Sequence, residues 1–353
     1  MNQQLPTCLV YAPALAHTWP DHPENAERTQ AIRDLLRADG IWGRVAHVPP
    51  VPASDEQLIS VHSPRLLRAL RQMAGEGGGF IGGDTYVTEA SYDLARLAAG
   101  GCCAAADHIM RGHSGNGLAI VRPPGHHAGK SQVSGFCLIN NIAVAARHLQ
   151  AVYGLRRILV IDVDVHHGNG TQDIFYDDPT VLFITSHLYL PLYFYPGSGA
   201  AHETGRGPGR GFTLNVPVPA YVGDNGYRRL FAEVICPKIA AFRPEFVLVS
   251  IGFDAHWADP LSASGLTLTG YAQIVRTLLR VATEQCQGRI LFILEGGYLQ
   301  KALTYGVLNL LTALTGRQEV RDPLGPLPHP EADVSDLIAD LRHRHLLSEG
   351  NSA

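Results

Sequence analysis

None of the six cysteines forms a Cys-x-x-Cys pair, no apolar run approaches the roughly twenty residues of a membrane span, and basic charge is not in surplus. Each absence removes a class. Without paired cysteine spacing there is neither a disulfide framework nor a thiolate zinc module, and Cys102 and Cys103, in an Ala-rich run, read as small core residues. A formal net charge of −4 with dispersed Lys and Arg gives no face for direct nucleic-acid binding. The start, MNQQLPTCLVYAPALA, has no basic segment and its apolar run is broken by proline, so no leader and a cytoplasmic home are expected. Charged residues make up only 17% of the chain against 46% hydrophobic ones, which excludes a disordered profile. No repeat and no composition shift divides the 353 residues, so one domain, 1–353, is expected. Its core should span about 7–316, with a tail, 317–353, that loses periodicity and wraps the surface. Assembly into a homo-oligomer stays open.

What is present is a series of short Val- and Ile-rich runs: 117–123, 157–165, 180–186, 245–253 and 289–297. Nearly continuous hydrophobicity of this kind marks parallel strands buried on both faces. Segments 90–110, 140–150, 227–242, 271–285 and 302–314 carry apolar residues at helical spacing between them. TCLVYAP and GRVAHVP add two strands around a helix at 26–39, and GRGPGRG precedes another strand. The stretches 75–88 and 187–211 fit neither period and are expected to be loops, functional or mobile. The chain is expected to be α/β.

The polar residues fall in telling places. RPPGHH follows the run at 117, DVDVHHGNG ends the run at 157, GFDAH ends that at 245, and EGGY ends that at 289. Ligands of an open parallel sheet bind beyond the carboxyl ends of its strands, so the four clusters should converge. Read as a strand, IDVDVHH puts Asp162, Asp164 and His166 on one side and Val163 and Val165 on the other. Buried carboxylates crowded in this way require a cation, and Asp254 is the candidate third ligand beside Asp164 and His166. Asp, His and Asp with an open position is the pattern of a catalytic zinc site. None of the clusters specifies a site alone; their joint position does.

Other motifs fail on inspection. GHHAGKS has Pro124 where a phosphate-binding loop needs glycine, and the sequon at Asn169 lies inside the expected site. His17, His22, His62, His148 and His202 lack ligand-like context and read as structural or surface residues, with His17 and His22 in a candidate rim loop.

From about Tyr11 to Leu314, the ordered set RPPGHHA, GFCLINN, DVDVHHGNGTQDIFY, YPGSG, GFDAH, DPL and EGGY resembles the histone deacetylase family, including its bacterial amidohydrolase and acetylpolyamine branches. Asn169 in HHGNGTQ is similar to the class II and bacterial form. The resemblance implies the arginase-deacetylase fold, a single domain with a parallel sheet of about eight strands flanked by helices. It implies that Asp164, His166 and Asp254 bind one Zn²⁺, that Asp162 orients His126 and Asn169 orients His127, and that Tyr298 faces the substrate carbonyl. Phe136, Tyr195 and Leu261 match walls of an acyl-lysine tunnel, with Gly135, Gly296 and Gly297 beside it and Asp84 as the rim carboxylate. Arg28 matches a buried arginine of an acetate exit channel. A structural K⁺ is implied near Asp162, Asp164, His166, Thr185 and Ser186. The expected activity is zinc-dependent removal of acyl groups from lysine in peptides or proteins, with acetylpolyamines or other small acetylated amines as the alternative substrates. A non-catalytic acyl-lysine or metal-binding module and a two-manganese ureohydrolase are the remaining rivals. Tyr298 and the His pair argue against the first, and His126 and His127 offer no second set of carboxylate ligands for the other.

Overall fold

A computed structural model describes residues 5–347; the last six residues of the expected tail lie outside that range. Among the described residues ten strands form: β1 (Thr7–Ala12), β2 (Ala46–His47), β3 (Gly79–Ile81), β4 (Thr85–Val87), β5 (Asn116–Val121), β6 (Ile158–Asp162), β7 (Val181–Leu188), β8 (Thr213–Val218), β9 (Phe246–Ile251) and β10 (Ile290–Leu294). Eight of them make one parallel sheet in the order β2-β1-β5-β10-β9-β6-β7-β8. The fold is the single-domain α/β architecture anticipated.

Alternation along each strand feeds two cores. On β10, Ile290, Phe292 and Leu294 enter one, while Leu291 and Ile293 enter the other; on β6, Leu159 and Ile161 oppose Ile158 and Val160. Both faces are therefore apolar, which is why the runs read as continuous rather than alternating. Helices α1 (Ala26–Asp39), α7 (Asp224–Leu230), α8 (Cys236–Phe242), α9 (Leu268–Cys286), α10 (Gln300–Leu314) and α11 (Ser335–Arg344) contribute to the first core. Helices α2 (Asp55–Ile59), α3 (Pro64–Gly75), α4 (Ser91–Met110), α5 (Asn141–Tyr153) and α6 (Asn169–Phe175) contribute to the second. Truncating one such core side chain to alanine costs about 2–5 kcal/mol.

Several elements differ from the sequence expectation. Segment 227–242 is α7 and α8 joined by a π turn, Phe231–Ile235, because Pro237 in the first turn of α8 supplies no N–H to the helical ladder. The loop at 75–88 contains the hairpin β3–β4, pairing Gly79 with Val87 and Ile81 with Thr85. The tail does more than wrap: Val334, just before α11, and Ile338 and Leu341 within it are buried against the core, a stripe too short to stand out from its charged surroundings. Among the described residues no helix is long and apolar enough to cross a membrane.

The sheet order has one functional consequence. Strands β5, β10, β9 and β6 are consecutive neighbours, so the four polar clusters that follow them lie side by side at one edge.

Candidate active site

The segment after β6 corrects one expectation. The strand stops at Asp162, so Asp164 and His166 are not placed by strand pleating. Two Asx turns do the work instead: the Asp164 N–H donates to Asp162 Oδ1 (3.1 Å) and the His166 N–H to Asp164 Oδ1 (2.9 Å). The period of two survives because each carboxylate caps the residue two positions on. Val163 and Val165 point into the core, as the alternation requires.

Asp164, His166 and Asp254 come together with their ligand atoms within 4.8 Å of one another. His166 Nδ1 lies 3.1 Å from Asp164 Oδ1 and 3.5 Å from Asp254 Oδ2. The Val165 N–H satisfies Asp254 Oδ1 at 3.0 Å and the Gly296 N–H satisfies Asp164 Oδ2 at 2.9 Å, yet Asp254 Oδ2 is buried with no hydrogen-bond partner. Burial, followed by the Asp164 charge, pushes the Asp254 carboxyl above its ordinary range. An orphaned buried oxygen, a second carboxylate and an imidazole form a donor set suited to a divalent cation. A second cluster, His126, Cys137 and Glu295, also lies within metal-binding reach. Its donors are already engaged: Glu295 Oε2 accepts the N–H groups of Gly125 and His126, its Oε1 accepts the Ser250 hydroxyl, and His126 Nδ1 pairs with Asp162.

The turn after β5 presents the two histidines side by side, ring centroids 3.9 Å apart. His126 Nδ1–H donates to Asp162 Oδ2 (2.9 Å), and His127 Nδ1–H donates to Asn169 Oδ1 (2.7 Å). Their charge states diverge. Burial disfavours protonation of His126, but Asp162 and Asp164 outweigh it and push the ring up to about 10. Burial, then the charges of His126 and His166, hold His127 well below its ordinary range. Gly135 closes this corner because a Cβ there would fall on the His127 ring.

Beyond β10, the Tyr298 ring packs edge-on to Phe136 at 5.9 Å, with the Arg28 guanidinium 5.0 Å from its centroid. Burial, against the opposing pull of Arg28, keeps its hydroxyl protonated far above neutral pH. Arg28 lies behind the tyrosine, donating to the carbonyls of Gly297 (2.9 Å) and Glu295 (2.8 Å) and pairing with Glu24 at 3.2 Å. Glu24 also binds the buried Arg122; burial works against its charge, yet the guanidiniums hold it at about 2.

A cavity of about 150 Å³ joins these parts, lined by Asp84, Pro124, His126, His127, Gly135, Phe136, His166, Tyr195, Leu261, Gly296 and Tyr298. By liquid volume that is room for about five waters, a slot for a slender unbranched chain. Tyr195 and Leu261 are 38% and 37% exposed and so form its lip. Gly297 and Arg28 are not on its lining, and Thr185 and Ser186 lie apart on β7, where Thr185 pairs in register with Asp162. A larger cavity, about 310 Å³, between α7 and α9 contains no acid–base pair of this kind.

The structure adds roles for residues to which the sequence assigned none. Phe194 stacks flat on His166, with centroids 4.9 Å apart and planes at 7°. His22 reaches the rim: its Nε2–H donates to the Asp84 carbonyl (2.9 Å) and its ring meets Phe136 at 4.7 Å. Glu295 holds the backbone of the histidine turn, and Asp259 accepts the N–H groups of Leu261, Tyr298 and Leu299. Both stand inside motifs of the sequence, EGGY and DPL, but nothing in those motifs indicates that their partners are backbone N–H groups.

Comparison with known proteins gives the site its relatives. The histone deacetylase domain matches residues 22–314. A probable deacetylase of Archaeoglobus fulgidus is 40% identical over 314 residues, covering 88% of this chain and 86% of its own. The polyamine deacetylase HDAC10 of Homo sapiens is 36% identical over 351 residues, covering 95% of this chain and 51% of that protein. Among solved structures, the HDA15 HD domain aligns with a TM-score of 0.89 at 36% identity, covering 97% of this chain and 95% of that one.

Proposed function

The chain belongs to the histone deacetylase family, and from that premise we propose that it removes acetyl or other acyl groups from the ε-amine of lysine in peptides or proteins. The observation that carries this reading is the orphaned Asp254 Oδ2 beside Asp164 and His166, with His166 on the lining of the cavity that also holds the histidine pair and Tyr298. Asp164, His166 and Asp254 would hold Zn²⁺, whose Lewis acidity brings the pKa of the attacking water towards about 7.

The chain's own groups do the rest. Because His127 Nδ1–H is committed to Asn169, its Nε2 is left free to take the proton from water and return it to the leaving amine. His126 stays cationic against Asp162 and Asp164 and balances the developing charge. The Tyr298 hydroxyl donates to the carbonyl oxygen as that oxygen becomes negative. Phe136, Tyr195 and Leu261 suit an uncharged acylated chain, while a free ammonium would be desolvated between them. A structural K⁺ at Asp162, Asp164, His166, Thr185 and Ser186 is supported by the Ser186 hydroxyl, which is buried without a partner.

The neutrality of Asn169 has a measurable consequence. In Asn169→Asp a carboxylate would stabilise the His127 imidazolium, so more of the base is protonated at a given pH. The acidic limb of kcat/KM should move up by about one pH unit; an unmoved limb would remove His127 from the proton transfer.

Acetylpolyamines are the second reading, favoured by the relative named as a polyamine deacetylase. The cavity speaks for the first: its one carboxylate clear of the metal triad is Asp84, so the walls offer little to the extra ammonium groups of a polyamine. Kinetics on acetyl-lysine peptides against acetylspermidine and acetylputrescine decide between them. With peptides, Asp84→Asn should raise KM roughly tenfold with kcat nearly unchanged, the cost of one charge-assisted hydrogen bond to a substrate backbone. A faster kcat/KM on acetylspermidine would overturn the lysine reading.

A further inference from the structure

Tyr298 follows Gly296 and Gly297, and Gly297 has φ +117°, a backbone region that side-chain-bearing residues rarely adopt. Two glycines before a residue that must aim a hydroxyl to within a few tenths of an ångström are a source of freedom. Something must remove it. On the carbonyl side, Arg28 donates to the oxygens of Glu295 and Gly297. On the N–H side stands a single carboxylate, Asp259, 4% exposed: its Oδ2 accepts the N–H groups of Tyr298 (2.8 Å) and Leu299 (2.9 Å), and its Oδ1 accepts that of Leu261 (3.0 Å).

We propose that Asp259 is the positioning residue of Tyr298, locking the tyrosine backbone to the Leu261 wall of the cavity so that the hydroxyl and the tunnel lip keep one fixed relation. The inference rests on the role proposed above for Tyr298. The segment that carries Asp259 is itself anchored: its N–H donates to the His256 carbonyl (2.9 Å), and the Ser262 hydroxyl donates to the Asp254 carbonyl (2.5 Å). Asp259 therefore ties the tyrosine to the same loop that supplies the proposed metal ligand Asp254. Leu299, the residue before α10, shares the same oxygen, so the start of that helix is fixed too.

A residue that acts through Tyr298 must lose its influence once the hydroxyl is gone, whereas a merely structural residue costs the same with or without it. The experiment is a double-mutant cycle on the zinc-loaded enzyme with an acetyl-lysine peptide: wild type, Asp259→Ala, Tyr298→Phe and the double variant, with thermal unfolding and metal content measured on each. Asp259→Ala should lower kcat about tenfold with KM moving less than about threefold, and should lower kcat by less than about twofold further in the Tyr298→Phe background. Equal losses in both backgrounds, or a change confined to KM, would overturn the positioning role while leaving Tyr298 in place. If Tyr298→Phe alone turns over normally, the reading of the tyrosine fails first and shows as such. Should Asp259→Ala not fold, Asp259→Asn, of the same size and with one acceptor oxygen retained, is read by the same cycle.

Discussion

Tyr298→Phe should fold, keep its zinc and lose about a hundredfold in kcat, the usual cost of about 3 kcal/mol for removing one preorganised donor from a developing oxyanion. The arrangement makes the loss specific. Burial raises the hydroxyl well above its ordinary value, so it keeps its proton at working pH and has a hydrogen to donate. The ring itself is held by Phe136 at its edge and by Arg28 at 5.0 Å, and Phe retains both contacts. Packing, the proposed substrate wall and the proposed metal triad are thus untouched, and KM should move little because the ground-state carbonyl needs the donor far less than the tetrahedral species does. Steady-state kinetics on an acetyl-lysine peptide, with zinc quantified on the same preparation, checks it. Turnover within about twofold of wild type at full zinc would take Tyr298 out of the chemistry.

That this site could be approached from sequence follows from the sheet. Parallel strands all end on one edge, so residues after β5, β6, β9 and β10 had to share a region, and Val- and Ile-rich runs locate strands well. The detail behind the convergence was less legible. Asp162, Asp164 and His166 kept the predicted alternation for a different reason, since side-chain caps on backbone N–H groups replace strand pleating there. Glu295 and Asp259 stand inside the EGGY and DPL motifs, but their roles escaped because their partners are largely backbone N–H groups, which every residue carries. Phe194 and Tyr195 are adjacent aromatics, and only the loop backbone decides that one lies flat on His166 while the other lines the cavity. The hairpin β3–β4 was hidden by glycines that suppress strand propensity, and α11 by having only two buried residues of its own.

Asp254→Ala should leave the protein almost without metal and therefore without measurable turnover. Partners that merely orient a metal ligand commonly account for 10–100-fold in affinity, so a charged ligand should cost more than about a hundredfold. Here the substitution removes one of the two carboxylates that make the site anionic, and Asp164 with His166 would be left as two donors for a cation that takes three from protein in an open catalytic site. It also strips the Val165 N–H of its acceptor, so some stability is lost with the metal. Asp254→Asn separates the two effects: the amide oxygen can still accept from Val165, but the charge is gone. Metal analysis after dialysis should find both variants depleted, with excess zinc restoring part of the activity to Asp254→Asn alone. Stoichiometric zinc retained by Asp254→Ala would mean that the ion sits elsewhere, and Asp254 Oδ2, buried without a hydrogen-bond partner, would then need another explanation.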